Sequence, residues 1–234
     1  GIFADRDAVL KAYNNICESH KQSGISLVGS AQGEVSGNTC RYNEDGIVAN
    51  DQSRLVARNN TCEGNKSCGI FLYGSAQGEV EGNTCRYNGY HGITANEQSR
   101  LVARNNTCEG NRYSGIVLFD SARGEVEGNA CRNNGNHGIA ANEQSRLVAT
   151  NNRCHNNKIH GIAAYNQSRL VARNNTCEGN GSCGVLLYDR ASGRVENNTC
   201  SHNEFGIYKE RTARAYVGYN ECYSNSVENL LLNQ

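Results

Sequence analysis

Cysteine returns every 22 or 23 residues along this chain, at positions 17, 40, 62, 85, 108, 131, 154, 177, 200 and 222. Two residues before each stands an asparagine, from Asn15 and Asn38 to Asn198 and Asn220. Three residues after each stands another, from Asn43 to Asn225, with His20 the one departure. A glycine follows, from Gly24 to Gly206, and the interval from it to the next cysteine of the series is always 16 residues. All length variation therefore falls in one turn, between the second asparagine and the glycine. A fixed period of this size marks a solenoid whose units bury their apolar faces against one another.

Within a unit, apolar residues alternate with polar ones, the period of a strand rather than a helix. Three short strands are expected per unit: Ile25-Ser26-Leu27, a second around Gly33-Glu34-Val35 and a third around Thr39-Cys40-Arg41. Three strands and three bends use up the unit and leave no room for a helix. Successive units must then stack in parallel, ~4.8 Å apart, with the right-handed sense that parallel connections adopt. The expected fold class is all-β, a right-handed single-stranded parallel β-helix of about ten coils, forming one domain over residues 1–234.

The apolar columns support this register. Leu27 accompanies Gly33 and Val35, whereas the next unit carries Ala49 with Leu55 and Ala57. The exchange recurs through Leu72/Gly78, Ala95/Leu101 and Leu118/Gly124, and slips once, at Ala141/Leu147 and Ala164/Leu170. Each layer keeps a similar volume, as close packing demands. The asparagines suit bends that need left-handed backbone, and amides stacked in register can hydrogen-bond along the column. Outward charges alternate in sign, as in Arg58, Glu81, Arg104 and Glu127, or Arg41, Glu63, Arg86, Glu109 and Arg132. These columns read as devices that hold register.

The pattern Gly-Ile-x-Leu, then Val, then Asn-x-(apolar)-x-x-Asn resembles the parallel β-helix repeats of the pectin-lyase-like superfamily. It is similar above all to the repeats of periplasmic copper-protein maturation factors and of a large F-box substrate receptor. Cysteine stands where those repeats place Ile or Val. The resemblance spans essentially the whole chain and implies the fold. It leaves function open, because the superfamily holds lyases, hydrolases, epimerases and binding scaffolds.

Composition narrows the partners. Leu, Ile, Val and Phe make up about 18% of the residues, a fraction that favours disorder, but the net charge is zero, which does not. Balanced charge gives no reason to expect nucleic acid or an anionic membrane. No apolar run reaches membrane-spanning length, and Gly1-Ile2-Phe3 does not open a signal peptide. The absence of Met throughout suggests a piece of a longer chain. The solenoid ends carry no capping element and the last coil sets Lys209 in an inward column, so self-association through open ends is expected.

The cysteine column reads as buried and reduced, since residues in register point the same way at strand spacing while a disulfide needs Cβ atoms ~3.8 Å apart. Cys68 and Cys183 lie in another column and are expected to be reachable. Many unpaired thiols favour a reducing compartment, the cytoplasm. No zinc motif occurs, no cofactor is implied, and the acids are spaced too widely for calcium.

One outward face is unusual. The first strand of each unit should turn Val48, Phe71, Thr94, Val117, Ala140, Ala163 and Leu186 to solvent. Two residues on come Tyr73, Asn96, Phe119, Asn142, Tyr165 and Tyr188. Phe71, Tyr73, Asn96, Phe119, Asn142, Tyr165, Leu186 and Tyr188 are therefore the candidate binding residues, a platform for a polysaccharide or an extended protein segment. The same stripe would also suit cover by another part of the parent chain. Flanking it are His91, His137 and His160 on one side and Asp51, Glu97, Asp120, Glu143 and Asp189 on the other. The alternative function is a polysaccharide-modifying enzyme, with His137 or His160 paired with Asp120 or Glu143 as acid and base. The acids recur at equivalent positions without a one-off cluster, which favours a non-catalytic repeat scaffold.

Overall fold

The computed structural model describes residues 1–232, so the last two residues of the expected domain lie outside it. Thirty-one strands form three parallel sheets of 11, 10 and 10 strands, and no helix occurs among the described residues. Each coil contributes one strand to each sheet, as Ile25–Leu27, Gln32–Ser36 and Thr39–Arg41 do. The expected strands are all present, the second longer by one residue at each end. The register follows the sequence repeat: Ile70 pairs with Ile47 and Ile93, and Cys85 with Cys62 and Cys108.

The core runs along the axis as stacked layers of Ile, Leu, Val, Ala and Cys at near-zero exposure. The Leu/Gly exchange has a direct steric cause. A Cβ on Gly78 would lie 2.7 Å from Leu72 Cδ2, and one on Gly124 would lie 2.7 Å from Leu118 Cδ2. A leucine on the first strand thus fills the space above a glycine on the second. In the alternate coils Ala49 and Ala95 leave that space to Leu55 and Leu101.

Two asparagine ladders run the length of the second and third corners. Asn106 Nδ2 donates to Asn129 Oδ1 at 2.9 Å and to the Val80 carbonyl at 2.8 Å, while its Oδ1 accepts from the main chain and the amide of Asn83. The second ladder repeats the pattern, with Asn111 Nδ2 donating to Asn134 Oδ1 at 3.0 Å and to the Cys85 carbonyl at 3.0 Å. The left-handed residues are not the ladder asparagines but those just before them, such as Asn59 (φ 54°), Tyr42 (φ 57°) and Tyr87 (φ 55°). The ladder residue satisfies the buried polar groups of the corner, and its predecessor makes the bend.

The alternating charges pair between coils, Arg86 with Glu63 at 2.9 Å and Arg132 with Glu109 at 2.8 Å. Half exposed, such pairs contribute ~0–1 kcal/mol each and chiefly fix register. All twelve thiols are free. Cys68 and Cys183, expected to be reachable, are buried at 4% and 3% exposure, because neighbouring side chains cover their column. Cys222, in the last complete layer, is the half-exposed one. Lys209 does stand in the inward column, in register with Leu187 and Leu232, and its Nζ donates to the Ala213 carbonyl at 3.5 Å.

Candidate functional site

The outward face of the first sheet differs from a bare solenoid wall. Val48 and Phe71 are partly exposed as expected, but Thr94, Val117, Ala140, Ala163 and Leu186 are buried. The cause lies at the two ends of each first strand. Phe119 and Tyr165 lean back from the far end over Val117, Ala140 and Ala163, joined by Cys183, Leu186, Phe205 and Tyr208 in an apolar cluster outside the main core. Small side chains at 140 and 163 leave the trough in which these rings lie. The stripe is therefore half covered from within the chain itself, and Leu186 is a floor residue rather than a contact surface.

The near end of the same strands carries the histidines. His137 and His160 stack face to face, with centroids 5.1 Å apart and planes 5° from parallel. The Tyr165 ring lies across both, at 5.6 Å from His137 and 6.4 Å from His160. His160 Nδ1 accepts the main-chain N–H of Cys183 at 3.0 Å, and His91 Nδ1 accepts that of Ser114 at 3.1 Å. A ring nitrogen that accepts in this way holds no proton, so both rings carry it on Nε2. His137 Nδ1 is buried with no hydrogen-bond partner among the described residues.

Burial sets the charge state. It lowers His137 to about 4, and lowers His160 to about 3 and His91 to about 4 with a smaller contribution from nearby His137. All three imidazoles are neutral at neutral pH. Burial also raises the Tyr165 phenol well above its usual range, and pushes the Cys183 thiol up to about 11. The cluster therefore offers neutral nitrogen bases beside a firmly protonated phenol. Next to it opens a cavity of about 500 Å³ lined by His160, Tyr165, Cys183, Leu186, Tyr188 and Tyr208.

The other expected residues fall around this centre. Phe71 packs on Tyr73 at 5.8 Å, and Glu97 beside the exposed Tyr73 hydroxyl raises its pKa. Asn96 turns its Oδ1 to the main-chain N–H of Glu97 at 2.7 Å, so part of its capacity is used internally. Asn142 is half buried, and Tyr188 is exposed against Tyr165 at 6.3 Å. Asp120 and Glu143 meet each other rather than a histidine, and the hydrogen bond between them raises Glu143. The strand Ile139–Ala141 stands between His137 and Glu143, so the expected His–carboxylate pair occupies opposite ends of it. Tyr165 was expected among the binding aromatics, and what sequence reasoning missed is its contact with the histidines. The signal was the outward alanines at 140 and 163, which leave room for a ring to fold back over the strand.

Comparison with known proteins places this face in context. The sequence profile of the family described as "Right handed beta helix region" matches residues 1–117, 45–199 and 91–233. No curated protein matches the chain. A periplasmic alginate epimerase, AlgG, superposes with a TM-score of 0.85 at 18% identity, over 93% of this chain and 60% of its own. The A-module of the Azotobacter vinelandii mannuronan C-5 epimerase AlgE4 superposes at 0.69 and 16% identity, over 98% of this chain and 79% of its own. A pectate lyase, Pel9A, superposes at 0.63 and 14% identity, over 93% and 70%. At these identities the likeness is one of fold, and the chain spans about 60% of the length of AlgG.

Proposed function

The chain belongs to the right-handed β-helix family, and from that premise we propose that it acts on a polysaccharide lying along the outward face of its first sheet. The observation that carries this reading is the crossing of the Tyr165 ring over the stacked pair His137/His160. Epimerisation or eliminative cleavage of a uronate requires a proton to leave a ring carbon, and epimerisation requires one to return from the opposite face. A neutral imidazole accepts a proton and a protonated phenol supplies one. His137 is the base of choice, because no hydrogen bond at its buried Nδ1 fixes the tautomer, which leaves Nε2 as the nitrogen that can accept. Tyr165 is the acid; because its ring lies against His137, the two approach a sugar from one side, which suits elimination with the phenol proton passing to the departing glycosidic oxygen. The cavity beside it holds the adjoining sugars against Tyr188 and Tyr208. Phe71, Tyr73 and Phe119 extend the same strip toward the amino-terminal coils.

That solved structures of the same fold include alginate epimerases and a pectate lyase supports an acidic polysaccharide as the substrate class. A second reading, a non-catalytic scaffold, is favoured by one observation: His91 accepts a main-chain N–H just as His160 does, so a histidine here also serves the backbone. A panel of alginate, pectate and neutral polysaccharides separates the two. Unsaturated or epimerised product from an acidic polymer supports the enzyme. Binding without product supports the scaffold, and neither binding nor product rejects the site.

A further inference from the structure

We propose that the second sheet carries a separate track for an extended acidic polysaccharide, built on the arginine column Arg100, Arg123, Arg146 and Arg169. These four side chains are exposed and stand in direct register on successive strands. Arg54 continues the column beyond Gln77, and Arg214 continues it beyond Ser192. Like charges opposite one another on neighbouring strands are unfavourable, and the chain as a whole has no net charge to explain them.

The same strands handle charge differently four residues along. There Arg104 faces Glu127 at 3.7 Å and Arg173 faces Glu196 at 3.1 Å, each strand offset by its neighbour. Among the described residues none of Arg100, Arg123, Arg146 and Arg169 forms an ion pair of this kind. Of the acids near the column, Glu79 pairs with Arg58 at 3.6 Å and Glu34 accepts from Tyr13 at 2.6 Å. Glu97, Asp120 and Glu143 stand at the preceding turn and, among the described residues, form no ion pair with these arginines. Glu125, beside Arg123, forms no ion pair among the described residues, and Glu34 and Glu79 lie on the same face at its amino-terminal end.

The surface is also shaped for a chain. A groove of about 630 Å³ runs over the amino-terminal half of the sheet, lined by Arg54, Gln77, Arg100, Val56 and Val102 among others. Beyond it Val148 and Val171 continue the apolar floor beside Arg146 and Arg169. Guanidinium groups match carboxylates in bidentate geometry, and valines suit the C–H faces of sugars. The spacing selects the polymer. One positive charge per strand, ~4.8 Å apart, suits a polymer with one carboxylate per sugar unit. It does not suit a nucleic-acid strand, whose phosphates in a duplex follow every ~3.4 Å along the axis. The track lies on a different sheet from His137 and Tyr165 and stands independently of any chemistry there.

The test immobilises polygalacturonate, with dextran as the neutral control and a single-stranded oligonucleotide as the other polyanion. The chain should bind polygalacturonate at low salt, ignore dextran and release as salt rises. The triple variant Arg123→Gln/Arg146→Gln/Arg169→Gln should lose about tenfold or more of this affinity and show a shallower salt dependence. Its melting midpoint should equal or exceed that of the parent, since repulsion has been removed. The corresponding Lys variant should keep most of the binding, and Arg86→Gln/Arg132→Gln, which removes ion-paired arginines from the third sheet, should leave it in place. Unchanged affinity in the Gln variant, no binding of polygalacturonate at low salt, an equal loss in the third-sheet pair, or preference for the oligonucleotide overturns the proposal.

Discussion

His160 Nδ1 accepts the main-chain N–H of Cys183 at 3.0 Å, one coil further along the solenoid. That bond fixes the ring as the Nε2–H tautomer and ties the stacked histidines to the backbone of the first sheet. It also makes protonation of His160 costly, because a charged ring would lose its acceptor.

The pH dependence follows. Unfolded histidines titrate near 6.5, whereas His91, His137 and His160 take up protons only at about 4, 4 and 3. Between these limits the unfolded chain binds more protons, so stability is full above about 6.5 and falls as pH drops toward 4. A tenfold difference in proton affinity between folded and unfolded chain is worth ~1.4 kcal/mol, and the three rings together weaken the fold by several kcal/mol across that window. Denaturant midpoints at pH 7 and pH 4.5 check this. The double variant His137→Gln/His160→Gln should lose most of the difference.

The cysteine column gives a second expectation. A thiol reagent on native protein should modify Cys222 at most, and all twelve cysteines after denaturation. Cys108→Ser puts a hydroxyl into an apolar layer and should destabilise by roughly 1–3 kcal/mol, read from denaturant midpoints. Fast labelling of Cys183 would contradict the cover that Tyr165 and its neighbours provide, and fast labelling of Cys68 would contradict the burial of its thiol against Thr94.

The ladders should be far less tolerant than the outward asparagines. Asn106→Ala removes an amide that accepts twice and donates twice in the corner. Each buried group left without a partner costs ~1–3 kcal/mol, so this variant should be severely destabilised. Asn142→Ala, on the half-buried outer face, should change the melting temperature little.

The Leu/Gly exchange makes a paired prediction. Gly78→Leu alone should clash with Leu72 and cost at least ~1–3 kcal/mol. Adding Leu72→Ala reproduces the Ala95/Leu101 arrangement of the next coil and should restore most of the loss. A double-mutant cycle on stability measures this coupling, and additive effects would contradict it.

Inside and outside of the solenoid differ in how far they can be read from sequence. Inward positions are governed by a period of two and by layer volume, so Ile25, Leu27, Val35 and Cys40 declared themselves, as did the Leu27/Gly33 exchange. The outer face obeys no such rule. Whether Tyr165 points to water or folds back depends on the size of Ala140 and Ala163 on the strands it crosses. Sequence spacing also paired His137 with Glu143 across the first strand without weighing the distance between its two flanks. The arginine column was hidden by the more conspicuous alternating columns beside it. Each residue was visible, but the absence of a carboxylate partner is a property of the folded surface.

Covering aromatics bring a further consequence. Tyr73→Ala and Tyr188→Ala remove exposed rings and should weaken glycan binding on the first sheet with little change in melting temperature. Phe119→Ala uncovers Val117 and its neighbours and should lower stability as well, by up to ~3 kcal/mol. Separate binding and melting measurements on the three variants distinguish contact from cover.

If His137 and Tyr165 move a proton at a sugar ring carbon, solvent exchange reads that step directly. The chain is incubated with alginate and with pectate in D₂O, and ¹H NMR follows the ring proton beside the carboxylate. That signal should disappear as epimerised or unsaturated product forms. Exchange should be lost in both His137→Gln and Tyr165→Phe while each variant keeps its cooperative unfolding transition. A parent chain that binds either polymer yet leaves its ring protons unexchanged would rule out proton transfer at this site.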